Sequence, residues 1–167
     1  MELLKNTAGE NAGSSDHTLI CIDIGCGNDR GEGMIGIDAN PGPNVDIVRD
    51  ITRGLPFCDR SVDFIKAHSV LEHIEGNDNF EFVISECWRV LTDDGILDVL
   101  VPGAFSDGGM RDPTHTRHFT KATFDYFKKG FPKNHEWMPE TPWELLEVNG
   151  EDNGSIRAML RPDRNKE

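Results

Sequence analysis

The hydrophobic residues of this chain fall in short β-branched runs that stop abruptly at an acid, a histidine or a glycine. Residues 19–23 read Leu-Ile-Cys-Ile-Asp and lead into Gly25-Cys26-Gly27, residues 34–38 close on Asp38, residues 45–50 close on Asp50, and residues 62–67 lead into His68. Runs of this length and composition are expected to be β-strands with polar carboxyl ends. Leu55-Pro56-Phe57 followed by Cys58-Asp59-Arg60-Ser61 makes the turn into the fourth. Over residues 80–91 the period becomes helical, with Val83, Ile84, Cys87, Trp88 and Leu91 on one stripe. Thr92-Asp93-Asp94-Gly95 ends that helix, and residues 96–101 form a fifth strand closed by Pro102-Gly103. Thr120 can cap a helix over residues 121–129. Residues 143–148 and 155–161, separated by 149–154, read as an antiparallel pair.

This order implies an α/β domain with a mostly parallel seven-stranded sheet, an antiparallel C-terminal hairpin and a ligand beyond the carboxyl ends of the strands. Two connections are unusually short. Residues 28–33, and residues 39–44 with Pro41 and Pro43, leave no room for a crossover helix of about a dozen residues. The first two helices of such a fold are therefore reduced and one sheet face lacks its usual cover. Ile35, Ile37, Val45 and Ile47 are apolar residues that would need another. A homodimer through that face, or the N-terminal segment folding back, would supply it. Lys66 and Asp98 mark a part of the face that tolerates water.

Length and charge narrow the partners. The 167 residues suit a single domain over residues 18–167, preceded by a polar leader over residues 1–17. With 30 acidic against 17 basic side chains, a net charge of −13 disfavours nucleic acid and anionic membranes as partners. No apolar run reaches the length of a membrane span, so the expected compartment is the cytoplasm. Cys21, Cys26, Cys58 and Cys87 lack metal-type spacing and read as reduced thiols.

The ligand expected at the first glycine turn is a nucleoside without a pyrophosphate. A dinucleotide site needs a third glycine where a helix packs on the strand, but Arg30 stands there, no long helix follows, and Asp38 comes too early. Two glycines for close backbone approach and a carboxylate at the end of the second strand suit S-adenosylmethionine, whose ribose hydroxyls are both free.

The ordered motifs resemble the class I S-adenosylmethionine-dependent methyltransferases. They are Asp23-Ile24-Gly25-Cys26-Gly27-Asn28, Gly36-Ile37-Asp38, Arg49-Asp50-Ile51 with Leu55-Pro56-Phe57, and Val62-Asp63-Phe64-Ile65 leading to Ser69-Val70-Leu71-Glu72-His73-Ile74. Glu86-Cys87-Trp88-Arg89-Val90-Leu91 and Gly95-Ile96-Leu97 continue the series. With its short loop and Asp112-Pro113-Thr114-His115, the chain looks like a compact, type 11-like branch, bacterial or phage-associated. The resemblance implies a Rossmann-like sheet and S-adenosylmethionine as cofactor. By position it places Asp23, Gly25 and Gly27, with Cys26 between them, at the methionine end, and Asp38, followed by Ala39, on the ribose. Asp50 would accept from the adenine amino group with Ile51 against the ring, and His68 with Ser69 would line the reacting side. The same carboxylates have structural alternatives: Asp23 can tie down the glycine turn and Asp50 can form a local Asx turn.

Methyl transfer from a sulfonium needs alignment more than acid–base chemistry. Should the acceptor need a base, His68 and His115 are the candidates, whereas His73 reads as a structural or site-bordering residue. Asp112, His115, Arg117 and His118 follow the fifth strand, where an acceptor would bind, with Arg117 as an anion anchor. The His-x-x-His spacing there lacks a supporting acid or cysteine cluster, so no metal is expected. Phe119, Phe124, Tyr126 and Phe127 have the spacing of packing residues. The expected acceptor is a small molecule or glycan; the alternative is a protein that holds the nucleoside and transfers nothing, as a regulatory or accessory subunit.

Overall fold

The computed structural model describes residues 18–129 and 141–164; the expected leader, residues 1–17, lies outside the described residues. Strands β1 (Cys21–Ile24), β2 (Ile35–Asp38), β3 (Ile47–Val48), β4 (Val62–His68) and β5 (Leu91–Pro102) are joined by β6 (Trp143–Gly150) and β7 (Ser155–Pro162). They form one seven-stranded sheet in the order β3-β2-β1-β4-β5-β7-β6. Pairings from β3 through β5 are parallel, and β7 runs antiparallel to both β5 and β6. Strand order reverses direction at β1, whose neighbours are β2 and β4, and a crevice at that switch point is where open α/β sheets hold ligands.

One face of the sheet carries the core. Ile22, Ile24, Ile37 and Ile65 are fully buried there with Phe80, Val83, Ile84, Cys87 and Val90 of helix α1 (Asn77–Val90). Helix α1 is amphipathic as expected, but it ends one residue before Leu91. Leu91 instead opens β5 and pairs with Val62, after which 92–95 bulge out before Ile96 meets Phe64. The helix expected over residues 121–129 is a 3₁₀ helix, Lys121–Phe127, with a reciprocal capping box between Thr120 and Thr123. All four cysteines are free, and complete burial pushes the Cys87 thiol up to about 12.

The two short connections contain no helix, as their length requires. Ile35, Ile37 and Ile47, however, are not on the uncovered side. Their register with Ile22 and Ile24 puts them on the core face, where Ile37 is fully buried and Ile35 and Ile47 pack against the cluster. The uncovered face is polar. Asp23, Lys66 and Asp98 are register partners across β1, β4 and β5. Asp23 and Asp98 are 1% and 2% exposed, so this region is closed by ion pairs rather than wetted by solvent, contrary to the expectation from Lys66 and Asp98. The Lys66 ammonium donates to Asp23 Oδ2 at 2.9 Å. Arg157 donates twice to Asp98, at 2.7 and 2.9 Å, and His68 Nε2 lies 2.9 Å from Asp98 Oδ2.

Burial alone would raise the Asp98 carboxyl, but hydrogen bonds from Arg157 and His68 outweigh it and hold the group below its ordinary value. A folded-state value below the unfolded value of about 3.9 contributes stability that is present above that pH and lost as pH falls through the folded value. Asp98→Asn is expected to cost about 2 kcal/mol at neutral pH, in the range for hydrogen bonds to charged groups, and to flatten the acid limb. Urea titrations from neutral pH down through the carboxylate range measure both; an unchanged acid limb would place the sensitivity elsewhere.

Candidate functional site

Two adjoining cavities open at the carboxyl ends of β1, β2, β4 and β5. The smaller, of about 150 Å³, is lined by Gly25, Asp38, Ala39, Asp50, Ile51 and Val70, with Arg49, His73 and Ile74. Gly25 ends β1 at φ +65, and a Cβ there would stand 2.5 Å from Val70 Cγ2, so the turn requires glycine both conformationally and sterically. Asp38 Oδ2 accepts from the Gly27 amide at 3.0 Å and Oδ1 from the Asn40 amide at 2.8 Å. A carboxylate has about four acceptor positions, so both oxygens keep lone pairs for a ligand. Asp50 caps the 3₁₀ turn Ile51–Arg53, accepting from the Thr52 hydroxyl at 2.7 Å and its amide at 2.9 Å through Oδ1. Those hydrogen bonds hold its carboxyl below the ordinary range.

The larger cavity, of about 320 Å³, is lined by Ser69, Glu72, His73, Arg111, Asp112 and His115, with backbone from the ends of β5 and β7. His73 borders both cavities. Its Nδ1 lies 3.0 Å from the Thr114 hydroxyl oxygen, and that hydroxyl donates to Asp112 Oδ1 at 2.7 Å. The ring of His115 packs edge-on to that of His73 at 4.6 Å between centroids. Glu72 is 1% exposed, and burial raises its carboxyl. Ser69 sits at φ +53, a costly conformation for a residue with a side chain, at the point where β4 turns into the site.

The residues singled out from the sequence divide between these cavities and supporting roles. Gly25, Asp38, Ala39, Asp50 and Ile51 line the smaller cavity, and Ser69, Asp112 and His115 the larger. Asp23 takes the loop-anchoring role, accepting from the Gly31 amide at 2.8 Å and from Lys66. Gly27 orients Asp38, and the buried Cys26 thiol donates to the Asn44 carbonyl at 3.6 Å. His68 is held by Asp98 and borders neither cavity, so a role as base at the reacting centre is not supported. Arg117 is not an anion anchor. It donates to the carbonyls of Ile74 and Gly76 and to Asn77 Oδ1, and its guanidinium lies 4.3 Å above the Phe80 ring, strapping the 111–119 segment to the start of α1. His118 is exposed and lines neither cavity. Phe119, Phe124 and Phe127 pack in the core as expected.

Residues 26–99 match the family described as the methyltransferase domain. A protein of Mycolicibacterium smegmatis described as an S-adenosylmethionine-dependent methyltransferase is 30% identical over 122 residues, which are 60% of this chain and 46% of that one. The chain thus spans about half the length of this curated relative. A chain in the complex between the Haloferax volcanii Trm112 methyltransferase activator and a methyltransferase superposes with a TM-score of 0.62 at 11% identity, covering 89% of this chain and 83% of that one. A type 11 methyltransferase of Sulfolobus solfataricus gives 0.58 at 19% identity, with coverage of 89% and 86%. These two likenesses concern the fold. Over residues 26–99 the chain carries the sequence pattern of that methyltransferase family, and its fold is the one these methyltransferases share.

The smaller cavity offers what the adenosine part of S-adenosylmethionine requires. Carboxylates stand at Asp38 and Asp50, and Ile51, Val70 and Ile74 offer apolar walls for a ring. Sequence reasoning missed Glu72 as a site residue and left His73 as structural or site-bordering, because only the fold brings the turn Leu71–His73 against the 112–117 segment. The Thr116 and Arg117 amides both donate to the Glu72 carbonyl, at 2.9 and 3.2 Å. An acid beside a histidine within an otherwise apolar run was the available signal.

Gly25→Ala is expected to destabilise the protein by more than about 1 kcal/mol, because alanine at a positive φ is strained, and to weaken S-adenosylhomocysteine binding. Denaturant unfolding and calorimetry read the two effects. Adding Val70→Ala removes the 2.5 Å contact to Cγ2 but leaves one of 2.7 Å to Cβ, so it should recover only part of the stability.

Proposed function

We propose that this protein transfers a methyl group from S-adenosylmethionine to a small-molecule or glycan acceptor held in the larger cavity. The reading rests on one observation above the rest: a cavity with acids at Asp38 and Asp50 and apolar walls adjoins a polar cavity of about 320 Å³ across the shared wall of His73. That volume is near the lower end for ligand pockets, and the acidic chain favours a small or uncharged acceptor over a nucleic acid.

When bound, the sulfonium cofactor supplies an already activated methyl group. The protein's own contribution is placement. Asp38, held by the Gly27 and Asn40 amides, accepts from the ribose hydroxyls. Asp50 and Ile51 take the adenine edge and face. On the acceptor side, His115 Nδ1 lies 3.3 Å from the Gly109 carbonyl, which can only accept, so Nδ1 carries the proton and Nε2 a free lone pair. Helix α2 (Asp107–Arg111) lines the cavity through Gly108 and Arg111, and Phe105 just before it and Met110 within it, 75% and 65% exposed, offer apolar contact to an acceptor.

Calorimetry with S-adenosylmethionine, S-adenosylhomocysteine and NAD tests the donor site. Saturable binding of the first two, and none of NAD, is expected. Asp38→Ala should weaken S-adenosylhomocysteine at least about tenfold, the equivalent of about 1.4 kcal/mol. An unchanged affinity in that variant removes the ribose assignment, and preferential NAD binding removes the function.

A further inference from the structure

We propose that Glu72, His73 and His115 bind one divalent transition-metal ion in the larger cavity, beside the nucleoside site. One coordinating atom from each side chain lies within 4.8 Å of the others, the one such group of histidine, cysteine or acid side chains among the described residues. With metal–ligand distances of about 2.1 Å, ligand atoms around an ion stand roughly 3.4 Å apart. Side-chain movements of about an ångström close the site, and His73 is exposed enough to make them.

Two further observations point to a ligand. Glu72 is 1% exposed and lines this cavity, yet its Oε2 has no hydrogen-bond partner. A buried carboxylate oxygen without a donor is rare in folded proteins and calls for an ion or a water. Both imidazoles are also held as metal-binding histidines are, with one nitrogen committed and the other left bare. The Thr114 hydroxyl gives its proton to Asp112, so it can only accept from His73, whose Nδ1 therefore carries hydrogen. His115 Nδ1 is protonated by the same reasoning, against the Gly109 carbonyl. Each ring is left with an unprotonated Nε2. Asp112 Oδ2 lies 3.8 Å from His115 Nε2, placed to become a fourth ligand of the same ion.

Two imidazoles and one carboxylate suit Zn²⁺, Co²⁺ or Mn²⁺ better than Mg²⁺ or Ca²⁺, which prefer all-oxygen shells. Three protein ligands leave positions open toward the cavity. An ion there takes an oxygen ligand, so the site selects acceptors that present a hydroxyl or carboxylate and makes a bound hydroxyl more acidic. The His-x-x-His spacing of His115 and His118 misleads in this respect, because His118 lies outside the cavity and the other ligands come from the Leu71–His73 turn.

The test uses the full chain, purified without a histidine tag and stripped with chelator. Visible absorption on Co²⁺ titration and calorimetry with Zn²⁺ should each give one saturable equivalent in the micromolar range. His73→Ala, His115→Asn and Glu72→Gln should each weaken binding at least about tenfold and abolish the ligand-field bands. Circular dichroism melts verify folding; if buried Glu72→Gln unfolds, the histidine variants carry the test. Lack of saturable binding up to millimolar metal, or binding retained by the His73→Ala/His115→Asn double variant, overturns the site. The acceptor selectivity rests on the methyltransferase reading. S-adenosylhomocysteine binding to the stripped protein tests that reading separately.

Discussion

The site depends on the ion pair between Lys66 and Asp23. Lys66 spans from β4 to Asp23 on β1 and to the Asp29 carbonyl, both at 2.9 Å, while the Gly31 amide binds the same Asp23 oxygen. In place of a crossover helix, the β1–β2 connection is a short loop tied to the sheet at these points. Asp23 and Lys66 side chains are 2% and 15% exposed, so removing one partner would leave a nearly buried charge, a loss of several kcal/mol. The loop holds the conformation in which Gly25 approaches the nucleoside cavity and Gly27 fixes Asp38. The charge pair therefore does locally what packing of a helix would otherwise do.

The same substitution of charge for apolar cover extends along the face. The Asp98, Arg157 and His68 cluster continues the row begun by Asp23 and Lys66, so both buried acids of this face, Asp23 and Asp98, have a basic partner. A sheet face without helices would ordinarily be an aggregation hazard if apolar. The isoleucines of β1 and β2 are turned to the other face, under α1 and its neighbours, and strand β3 at the edge is only two residues long. A short edge offers little to a foreign strand. These features let the fold dispense with two helices without exposing its core.

Much of this was legible in the sequence, and the limits have physical causes. Strand positions and polar strand ends followed from β-branched runs stopping at acids, because alternation and strand length are local properties. The side assigned to Ile35 and Ile37 was wrong because face depends on register with β1, which is tertiary information. Leu91 satisfied the helical stripe yet joined β5, since one apolar position fits both periods. Arg117 looked like an anion binder by residue type, but the carbonyls of Ile74 and Gly76 claim its donors from more than forty residues away. Asp23 and Asp50 carry out structural tasks that the sequence left open beside ligand contact.

The two cavities differ in how they are built, and that difference bears on how such a protein can change its chemistry. The nucleoside cavity is assembled mainly from consecutive strand ends between residues 25 and 51, closed by Val70, His73 and Ile74. The larger cavity joins the Leu71–His73 turn to segments around residues 111–115 and Ser155. The Thr116 and Arg117 amides on the Glu72 carbonyl, with Arg117 on Ile74 and Gly76, fasten the later segment to the earlier one through backbone acceptors. Because those acceptors are main-chain carbonyls, side chains between residues 107 and 115 can vary without loosening the junction. The lining of the smaller cavity is then insulated from changes in the larger one, and His73, which borders both cavities, is the residue where the two meet.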